Sequence, residues 1–484
     1  MGGFCGVAAK EDCIPDLFYG TDYHSHLGTV RGGMAVHNGT GFKRLIKDIT
    51  NAQFRSKFED DLHELGGSLG IGVISDYDDQ PLIIRSHLGT YAVVTVGRVD
   101  NLEQLARKTL ENRSSHFSEM SGDVVNPTEL IATLINEGNS FEEGIHHAQE
   151  VISGSCSLLL MTSNAIYAAR DRYGRTPVAL GRKAGAHSVV METCAFPNLN
   201  YETQRHLGPG EILRITADTT ETVQPPGEQL RICAFLWVYY GYPASDFEGI
   251  NTEVVRYRSG ALLGRGDDVE VDLVAGIPDS GTGHAIGYAN ERSLPYGRPF
   301  IKYTPTWPRS FMPPDQRVRN LVARMKLIPI KELIAGKRLL FCEDSIVRGT
   351  QLQDTIQRLV SAGAREIHMR PACPPLIHGC KFLNFSRSRS VLDLAARRAI
   401  KELGDDDRLA EYSDATSRRY HDMVEQIRKR LGLTTLKYQT LDNLVSAIGL
   451  PKEKLCTYCW DGAESRCGCQ VNTPSASRVP LDTA

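Results

Sequence analysis

One stretch of this sequence constrains the fold more than any other. A hydrophobic run at residues 339–342 ends in the adjacent acids Glu343 and Asp344, and a glycine-containing turn follows at residues 345–350. The run has the length and apolar character of a strand that is buried on both faces. A helical pattern comes next, and its apolar positions share one face: Leu352, Ile356, Leu359 and Val360. Gly363 is well placed to end that helix. A buried strand that leads into a helix is typical of a parallel sheet.

Three similar apolar runs lie on either side of this stretch, at residues 271–278, 299–303 and 366–370. Helical stretches separate most of them. Strands that alternate with helices predict a doubly wound parallel sheet, in which ligands bind beyond the carboxyl ends of the strands. We therefore expect the functional residues in the loops that follow the strands.

Two of these loops have the composition of phosphate sites. Backbone N–H groups at residues 345–350, with a helix N-terminus behind them, can hold a phosphate. The preceding acids, Glu343 and Asp344, can hold sugar hydroxyls or a hard cation. Small residues at 276–283 allow a pyrophosphate to approach the backbone closely. The alternative is an acidic strand end followed by an ordinary glycine turn.

The first 220 residues or so have a different pattern, in which short β-like runs alternate with glycine-rich turns. The strands we expect are at 70–74, 91–96, 157–161 and 165–169. A helix is expected at 127–135, so this part is predicted to be a layered α+β domain. A boundary is expected at residues 222–228, where proline, glycine and polar residues are concentrated. After residue 386 the chain is charged and helical, with solvated faces, and the tail from residue 472 is expected to be loose.

Composition excludes several classes of protein. Lys and Arg total 55 against 58 Asp and Glu, so a net charge of −3 gives no reason to expect nucleic acid as a partner. The chain begins without the basic and apolar regions of a signal peptide, and no apolar run approaches the ~20 residues of a membrane span. We expect a cytoplasmic protein. Twelve cysteines in 484 residues are too sparse for a disulfide scaffold, so each is a candidate nucleophile, metal ligand or core residue.

The stretch at 339–350 closely resembles the phosphoribosyl pyrophosphate (PRPP) signature of type I phosphoribosyltransferases. Its surroundings resemble the amidophosphoribosyltransferases, glutamine-dependent enzymes of the first step of purine synthesis. The basic residues at 302–316, with Arg319, Arg324 and Lys326, look like the mobile loop of that family. The resemblance implies a Mg²⁺ site at Ser280, Glu343 and Asp344. It also implies PRPP binding by the following residues: Asp279, Ser280, Gly281, Glu343, Asp344, Ser345, Ile346, Val347, Arg348, Gly349 and Thr350.

The N-terminal part is similar to the class II glutamine amidotransferase domain of the same family. There Cys5 would become residue one after removal of a propeptide, residues 1–4, and its thiolate would attack the glutamine amide with the freed α-amino group as base. Arg31, in a run that resembles the family's Arg-Gly element, would bind the glutamine carboxylate. The backbone of Gly97 would contribute to the oxyanion site.

Three departures from the family pattern are concentrated in this glutamine site. Val96 stands where an asparagine would supply an oxyanion donor. Residues 73–76 replace a His-x-Arg-Tyr element whose arginine would bind the glutamine carboxylate. No aspartate is present at residues 126–129, where an acid would hold the substrate amine.

Four cysteines have contexts that resemble the iron–sulfur branch of the family: Cys233, Cys380, Cys456 and Cys459. Together they would complete an all-thiolate [4Fe–4S] site, although four thiolates also suit zinc. Cys467 and Cys469 are near enough in sequence to be substitute ligands, and we interpret them as an exposed pair. The other cysteines are expected to be core residues.

The resemblance implies an α+β N-terminal-nucleophile domain at 5–228, an α/β type I phosphoribosyltransferase domain at 229–440 and a C-terminal extension at 441–484. It predicts a glutamine-dependent amidophosphoribosyltransferase that makes phosphoribosylamine, with purine-nucleotide feedback and a homo-oligomeric state, dimer or tetramer. The alternative is a PRPP-binding regulatory protein or an ammonia-dependent homologue whose glutaminase domain is inactive.

Overall fold

The structure, a computed structural model, describes residues 2–28, 30–76, 78–111, 116–121, 124–303, 327–383, 391–404 and 408–463. Its N-terminal half consists of short antiparallel strands. Strands β1 to β15 are, in order, Gly3–Ala9, Arg31–His37, Phe42–Asp48, Leu69–Ser75, Leu82–Ser86, Gly89–Val99, Met120–Ser121, Val124–Val125, Gly154–Met161, Ile166–Ala169, Ala179–Lys183, Ala186–Val190, Glu202–His206, Ile212–Ile215 and Thr220–Gln224. The helices of this half are Ile14–Asp22, Phe54–Phe58, Leu102–Glu111, Pro127–Ile135, Phe141–Val151 and Ala195–Asn198.

Two large sheets pack face to face. One has the strand order β13-β11-β12-β1-β4-β2-β3, and the other has the order β15-β14-β10-β9-β6-β5. Their facing side chains form one core, which includes Phe4 and Ala8 from β1 and Val94 and Val96 from β6. Because side chains alternate along a strand, Cys5 points to the opposite face of β1.

Helices cover both outer faces of this pair of sheets. The helix Ile14–Asp22 packs on β1 and β4, where Leu17 and Phe18 share a core with Cys5. The helices Pro127–Ile135 and Phe141–Val151 cover the second sheet. Buried on both faces, the strands are apolar without clear alternation, as in the run Leu158–Met161. The result is a four-layer αββα sandwich, which agrees with the layered α+β domain expected from the sequence.

The second half is built on a parallel sheet with the strand order β19-β22-β23-β24. Strands β16 to β25 are Ile232–Cys233, Asp246–Phe247, Ile250–Asn251, Leu273–Gly276, Phe300–Lys302, Leu327–Pro329, Arg338–Glu343, Glu366–Pro371, Thr435–Leu436 and Leu455–Cys456. The helices are Thr252–Gly264, Gly281–Arg292, Lys331–Ile334, Thr350–Ser361, Ala395–Glu402, Leu409–Ser413, Arg418–Leu431, Leu441–Ile448 and Tyr458–Asp461.

Helices lie on both faces of this sheet, as a doubly wound fold requires. The helix Gly281–Arg292 packs on β19 and β22 from one side. The helices Thr350–Ser361, Ala395–Glu402 and Arg418–Leu431 form the core on the other side. The sheet therefore places the ends of β19 and β22 next to each other.

Two local expectations from the sequence were wrong. Strand β20 does not join the parallel sheet and instead pairs antiparallel with β21, while β24 takes the edge position. Val360 is 59% exposed, because the buried stripe of its helix runs through Thr355, Ile356 and Leu359. Strand β15 ends at Gln224, and residues 225–231 link it to β16.

The C-terminal segment returns to the junction between the two halves. Strand β25 pairs in parallel with β16, so Leu455 lies beside Ile232 and Cys456 beside Cys233. The helix Leu441–Ile448 packs against the helix Thr252–Gly264. No helix among the described residues is long and apolar enough to cross a membrane.

Candidate functional site

The parallel pairing of β19 and β22 creates the first candidate site. Gly276 lies opposite Cys342, so residues 277–283 and 343–350 leave the sheet side by side. A Cβ atom on Gly281 would lie 2.4 Å from the carbonyl oxygen of Cys342, so only glycine allows this approach of the two segments. The two loops that the sequence predicted to bind phosphates are thus brought together.

The acids at the end of β22 are linked to the neighbouring loop. The hydroxyl of Ser280 donates a hydrogen bond to Oδ2 of Asp344, and the hydroxyl of Ser345 donates to Oδ1 at 2.5 Å. Asp344 is 6% exposed. Burial, followed by the nearby charge of Asp344, raises the pKa of Glu343 well above its usual value. The hydroxyl oxygen of Ser280 and the carboxylate oxygens of Glu343 and Asp344 therefore lie near one another. Oxygen donors of this kind suit Mg²⁺.

The loop that follows has the geometry of a phosphate cradle. Gly349 precedes the helix Thr350–Ser361 with φ of +75°, a conformation that favours glycine, so the chain turns sharply into the helix. The first N–H groups of that helix have no partners within it and carry its positive dipole end. Of the side chains in this loop, Ile346 is buried and Arg348 is exposed.

Of the basic residues in the predicted loop, Lys302 lies within the described part of the chain. Its ammonium group forms an ion pair with Asp279 in the loop after β19. A cation here lies beside the segment predicted to bind pyrophosphate. Residues 304–326, including Arg309, Arg319, Arg324 and Lys326, lie outside the described residues.

The second candidate site surrounds Cys5. Its thiol is fully buried in the middle of β1, and Sγ lies 3.9 Å from the Oγ atom of Ser188. Burial raises the pKa of Cys5 to about 12. Gly20 on the covering helix packs directly on the sulfur, since a Cβ atom there would lie 2.5 Å from Sγ. A thiol in this setting is protonated at neutral pH and is a poor nucleophile.

The residues before Cys5 are part of the same strand. Gly3 pairs with Ile74 and Phe4 pairs with Val73 of β4. The Phe4 side chain is 0% exposed in the core between the two sheets. A Cβ atom on Gly3 would clash with the ring of His24. The segment predicted to be a removable propeptide is therefore integrated into the domain in this state of the chain.

The structure does not bring the predicted glutamine-binding residues close to Cys5 in one pocket. Arg31 begins β2, pairs with Ser75 and forms ion pairs with Asp48 and Asp79. Strand spacings put its Cα atom roughly 14 Å from that of Cys5. Gly97 lies in the other sheet opposite Cys156, with φ of +135°. The guanidinium of Arg31 is thus already occupied by two carboxylates.

Each residue at a point of departure from the family has a local structural role. Val96 is buried in the core between the sheets. Ser75 accepts a hydrogen bond from the backbone N–H of Asp78 at 3.2 Å. Asn126 caps the helix Pro127–Ile135 by accepting from the N–H of Thr128 at 2.8 Å. These side chains support the fold.

The third candidate site is formed by four cysteines from distant parts of the chain. Cys233 and Cys456 are neighbours in the β16–β25 pair. The Cys459 thiol forms a hydrogen bond with Cys380, and this bond lowers the pKa of Cys380 and raises that of Cys459. Burial, followed by the charges of Cys456 and Cys380, raises the pKa of Cys233, so the two pairs are near each other. Cys467 and Cys469 lie outside the described residues.

The surroundings of these sulfurs suit an all-thiolate centre. Aromatic side chains share a core with three of these cysteines, with the rings of Phe235 and Trp460 in contact and Phe382 against Tyr458. The N–H of Leu383 donates a hydrogen bond to Sγ of Cys380 at 3.3 Å, as is usual for cluster thiolates. The described residues include no group of three or more His, Cys, Asp or Glu side chains that is arranged to hold a metal ion. Four thiols are suitable ligands for an iron–sulfur cluster. In the described part of the chain, however, they are not arranged closely enough to hold a metal ion.

Two arginines at this centre were not predicted from the sequence. Arg98, directly after Gly97, donates a hydrogen bond to the carbonyl oxygen of Cys380 at 2.9 Å. Arg175 lies 3.8 Å from the centre of the Phe382 ring, and its charge opposes the rise in the pKa of Cys456 that burial causes. Both arginines come from the N-terminal sandwich, whereas the cysteines come from later segments. No local sequence pattern indicates either contact, because Cys380 and Phe382 are more than 200 residues away from Arg98 and Arg175 in the sequence.

The fold and the first site define a class of protein, one that joins an N-terminal-nucleophile glutamine amidotransferase domain to a type I phosphoribosyltransferase domain. Residues 68–195 match a family model described as a glutamine amidotransferase domain. The amidophosphoribosyltransferase of Mycobacterium tuberculosis is 31% identical over 476 residues, covering 95% of this chain and 85% of that protein. The enzyme of the same name from Bacillus subtilis is 29% identical over 460 residues, covering 92% of this chain and 89% of that protein.

A solved structure shows the same similarity. The glutamine PRPP amidotransferase of Bacillus subtilis, complexed with ADP and GMP, superposes with a TM-score of 0.81 at 27% identity. The match covers 95% of this chain and 96% of that one. The chain belongs to the amidophosphoribosyltransferase family.

Proposed function

We propose that this protein transfers ammonia to the anomeric carbon of PRPP and releases pyrophosphate, giving 5-phosphoribosylamine for purine synthesis. The observation that carries the proposal is the convergence of residues 277–283 with residues 343–350 at the ends of β19 and β22. One loop is built for a pyrophosphate, and the other is built for a sugar phosphate. Membership of the amidophosphoribosyltransferase family supports the same reaction.

Each loop has a defined task in this reaction. The N–H groups of residues 345–350 hold the 5-phosphate, and Glu343 and Asp344 orient the ribose hydroxyls. Asp279, Ser280 and Gly281 hold the pyrophosphate, and the Lys302 cation lies beside that loop. Negative charge grows on the pyrophosphate as the bond to the sugar breaks, so a fixed cation there lowers the barrier.

Mg²⁺ fits the oxygen atoms of Ser280, Glu343 and Asp344. When bound, it would neutralise charge on the pyrophosphate. The Ser280–Asp344 hydrogen bond holds two of these donors in place before the cation arrives. Ionisation of Glu343 is needed for it to act as a ligand, and the cation would offset the burial that disfavours this ionisation.

The nitrogen source has two candidates. The first is glutamine, hydrolysed by Cys5 with help from Arg31 and Gly97, which requires removal of residues 1–4 to free the α-amino group. The second is free ammonia. The burial of Phe4 and the protonated Cys5 thiol favour ammonia for the chain with residues 1–4 in place.

The assay is PRPP-dependent pyrophosphate release with glutamine or with ammonium chloride as the amine donor, together with the intact mass of the purified protein. Activity with ammonia but not glutamine, in a protein that retains Phe4, supports the second candidate. Glutamate release that a Cys5→Ala substitution abolishes supports the first. A protein that fails to release pyrophosphate with either donor is not an amidophosphoribosyltransferase, and PRPP binding by calorimetry then tests the regulatory alternative.

We further propose that Cys233, Cys380, Cys456 and Cys459 hold a [4Fe–4S] cluster that links the two domains. The shared sulfur chemistry and the N–H donor at Cys380 support iron, and zinc is the other metal that four thiolates suit. Arg98 and Arg175 would hold the cysteine-bearing segments against the sandwich. Iron and sulfide analysis with visible absorption of protein prepared without oxygen tests this assignment, and colourless zinc-loaded protein would refute it.

The state of the cysteines bears on the cellular compartment of the protein. All ten described cysteines are free thiols, which supports a reducing cytoplasm. We also propose a homo-oligomer with purine nucleotides as feedback inhibitors. ADP and GMP in the Bacillus subtilis structure support the nucleotide part of this proposal.

A further inference from the structure

A cavity of about 350 Å³ lies where three segments of the chain meet beside the cysteine centre. Arg175 comes from the sandwich, Arg231 from the link between the two halves, and residues 452–457 from the C-terminal extension. Of the four cysteines proposed above to hold a cluster, Cys456 is the one that lines this cavity. The cavity therefore lies to one side of the space that the four sulfurs would enclose.

The wall of this cavity carries more positive than negative charge. Its cations are Arg175, Arg231 and Lys452. Among the described lining residues Glu453 is the acidic one, and its backbone carbonyl oxygen accepts a hydrogen bond from Nη1 of Arg231. Outside the lining, a carboxylate oxygen of Asp461 lies 3.6 Å from the ammonium group of Lys452. Three cations against two acids leave an excess of one positive charge.

Two of these cations have hydrogen-bond donors that the described residues leave unused. Arg175 is 4% exposed, and its Nη1 atom donates to the carbonyl oxygen of Gly154 at 3.2 Å. Its Nε–H group is buried and has no acceptor among the described residues, and the same holds for the Nε–H group of Arg231. Buried donors in folded proteins are nearly always paired. Two unpaired guanidinium donors at one cavity therefore indicate a missing acceptor.

An oxyanion has the chemistry of that acceptor. Guanidinium groups bind oxyanions through charge-assisted hydrogen bonds that lie in the plane of the guanidinium. The ring of Phe382 stacks on Arg175, so it covers a face of the guanidinium and leaves the in-plane Nε–H group available. Leu455 and Ala463 add apolar surface to the wall, and a wall of low polarity strengthens the attraction between an anion and the cations.

We propose that this cavity binds a small tetrahedral oxyanion, sulfate or inorganic phosphate, which links the C-terminal extension to the sandwich. The anion accepts hydrogen bonds from Arg175 and Arg231 and attracts the ammonium group of Lys452. Because Arg175 belongs to the sandwich and Lys452 to the extension, the bound anion holds the two segments together by charge. The site depends neither on the proposed reaction with PRPP nor on the identity of the metal at the cysteines.

Calorimetry on the full chain, with sodium sulfate and separately with inorganic phosphate, tests the site. Mg²⁺ and saturating PRPP without an amine donor fill the predicted catalytic loops, so the heat reports a separate site. Arg231→Gln is expected to weaken anion binding about tenfold, which corresponds to about 1.4 kcal/mol. Lys454→Gln is the matched control, because it removes an exposed cation from the same segment, outside the lining, and is expected to leave binding unchanged. Lys452→Gln, at a position that is 52% exposed, is expected to weaken binding and serves if Arg231→Gln does not fold.

Thermal unfolding gives a second readout. An anion that binds the folded chain stabilises it by mass action, so the tighter anion should raise the Tm of wild type and Lys454→Gln more than that of Arg231→Gln. The comparison cancels the general stabilising effect of these salts, which all three proteins share.

Saturable binding of either anion that depends on Arg231 supports the site, and the tighter of the two identifies the ligand. Absence of saturable binding of both anions to wild type would overturn the proposal, as would equal binding to wild type and to the Arg231→Gln or Lys452→Gln variant. Equal Tm shifts in wild type and Arg231→Gln would contradict the link between extension and sandwich. If PRPP itself does not bind, the proposed function fails, and dependence of anion binding on Arg231 would even then support the anion site.

Discussion

We predict that the buried Phe4 keeps the Cys5 thiol inaccessible, and the substitution Phe4→Ala tests this prediction. Phe4 is fully buried between the two sheets and is paired to Val73, immediately before the predicted nucleophile. Removing its ring leaves a cavity beside the central strand of the sheet. We expect the N-terminal end of β1 to separate from the sheet much more often, and the Cys5 thiol to become reactive as a result.

The magnitude follows from two effects. Truncation of a buried phenylalanine to alanine costs about 3–5 kcal/mol, which raises the equilibrium constant for opening by a factor of about 10² to a few thousand. Burial raises the pKa of Cys5 from 9.0 to about 12. Each pKa unit is a factor of ten in the thiolate fraction at neutral pH, so the closed state has roughly a thousandfold less thiolate than an exposed thiol. Alkylation of Cys5 therefore proceeds through the open state.

The assay is alkylation by iodoacetamide at pH 8, followed by peptide mapping that resolves Cys5 from the other cysteines. The rate at Cys5 in Phe4→Ala is expected to exceed the wild-type rate by about 10² or more, while the rate at Cys342, in the core of the other domain, stays unchanged. Leu110→Ala, at a position that is 49% exposed, is the control for loss of an apolar side chain.

Two results would refute this reasoning. One is alkylation of Cys5 in Phe4→Ala at the wild-type rate, which would show that the ring does not close the site. The other is a purified wild-type protein whose N-terminal residue is Cys5. In that case residues 1–4 would not belong to the mature fold, and hydrolysis of glutamine by Cys5 would become the favoured nitrogen source.

Three further predictions concern the other sites. The pKa of Glu343 is raised, so a cation must displace its proton in order to bind. The affinity for Mg²⁺–PRPP should therefore increase as pH rises. In Glu343→Gln the KM for PRPP should lose this dependence on pH. Asp344→Asn should lower kcat for pyrophosphate release by about 10²-fold with ammonia as donor, because it weakens the hold on the Mg²⁺ that would neutralise charge on the leaving pyrophosphate. Cys233→Ser should lower bound iron and visible absorption, whereas Cys194→Ser, in the sandwich, should leave both unchanged; equal iron content in the two variants would contradict the cluster assignment.

The parallel sheet was predictable because its strands are buried and their loops have a strong local signal. The runs at 271–278, 338–342 and 366–370 contain β19, most of β22 and most of β23, and the helix expected at 127–135 is Pro127–Ile135. Strand β24 has only two residues, Thr435 and Leu436, and its place in the sheet depends on pairing with β23, more than 60 residues earlier. A pairing of that kind leaves no periodic pattern in the sequence.

The candidate sites also differ in how well the sequence predicts them. Residues 343–350 are adjacent in sequence, so their composition alone indicates a phosphate loop. The setting of Cys5 depends on Gly20, Ser188 and Phe4, which come together only when β1 takes its place between β12 and β4.

The N-terminal sandwich contacts the segments that carry the proposed cluster cysteines. Arg98 and Arg175 extend from the sandwich to the Cys380 and Phe382 segment, and β16 and β25 bring Cys233 and Cys456 together at the same junction. Deletion of the sandwich would remove the hydrogen bond to the Cys380 carbonyl oxygen and the cation on the Phe382 ring, and would expose the four thiols. The thiol centre and the packing of the two halves are therefore mutually dependent. This dependence gives the sandwich a structural role at the thiol centre, whichever nitrogen donor the enzyme uses.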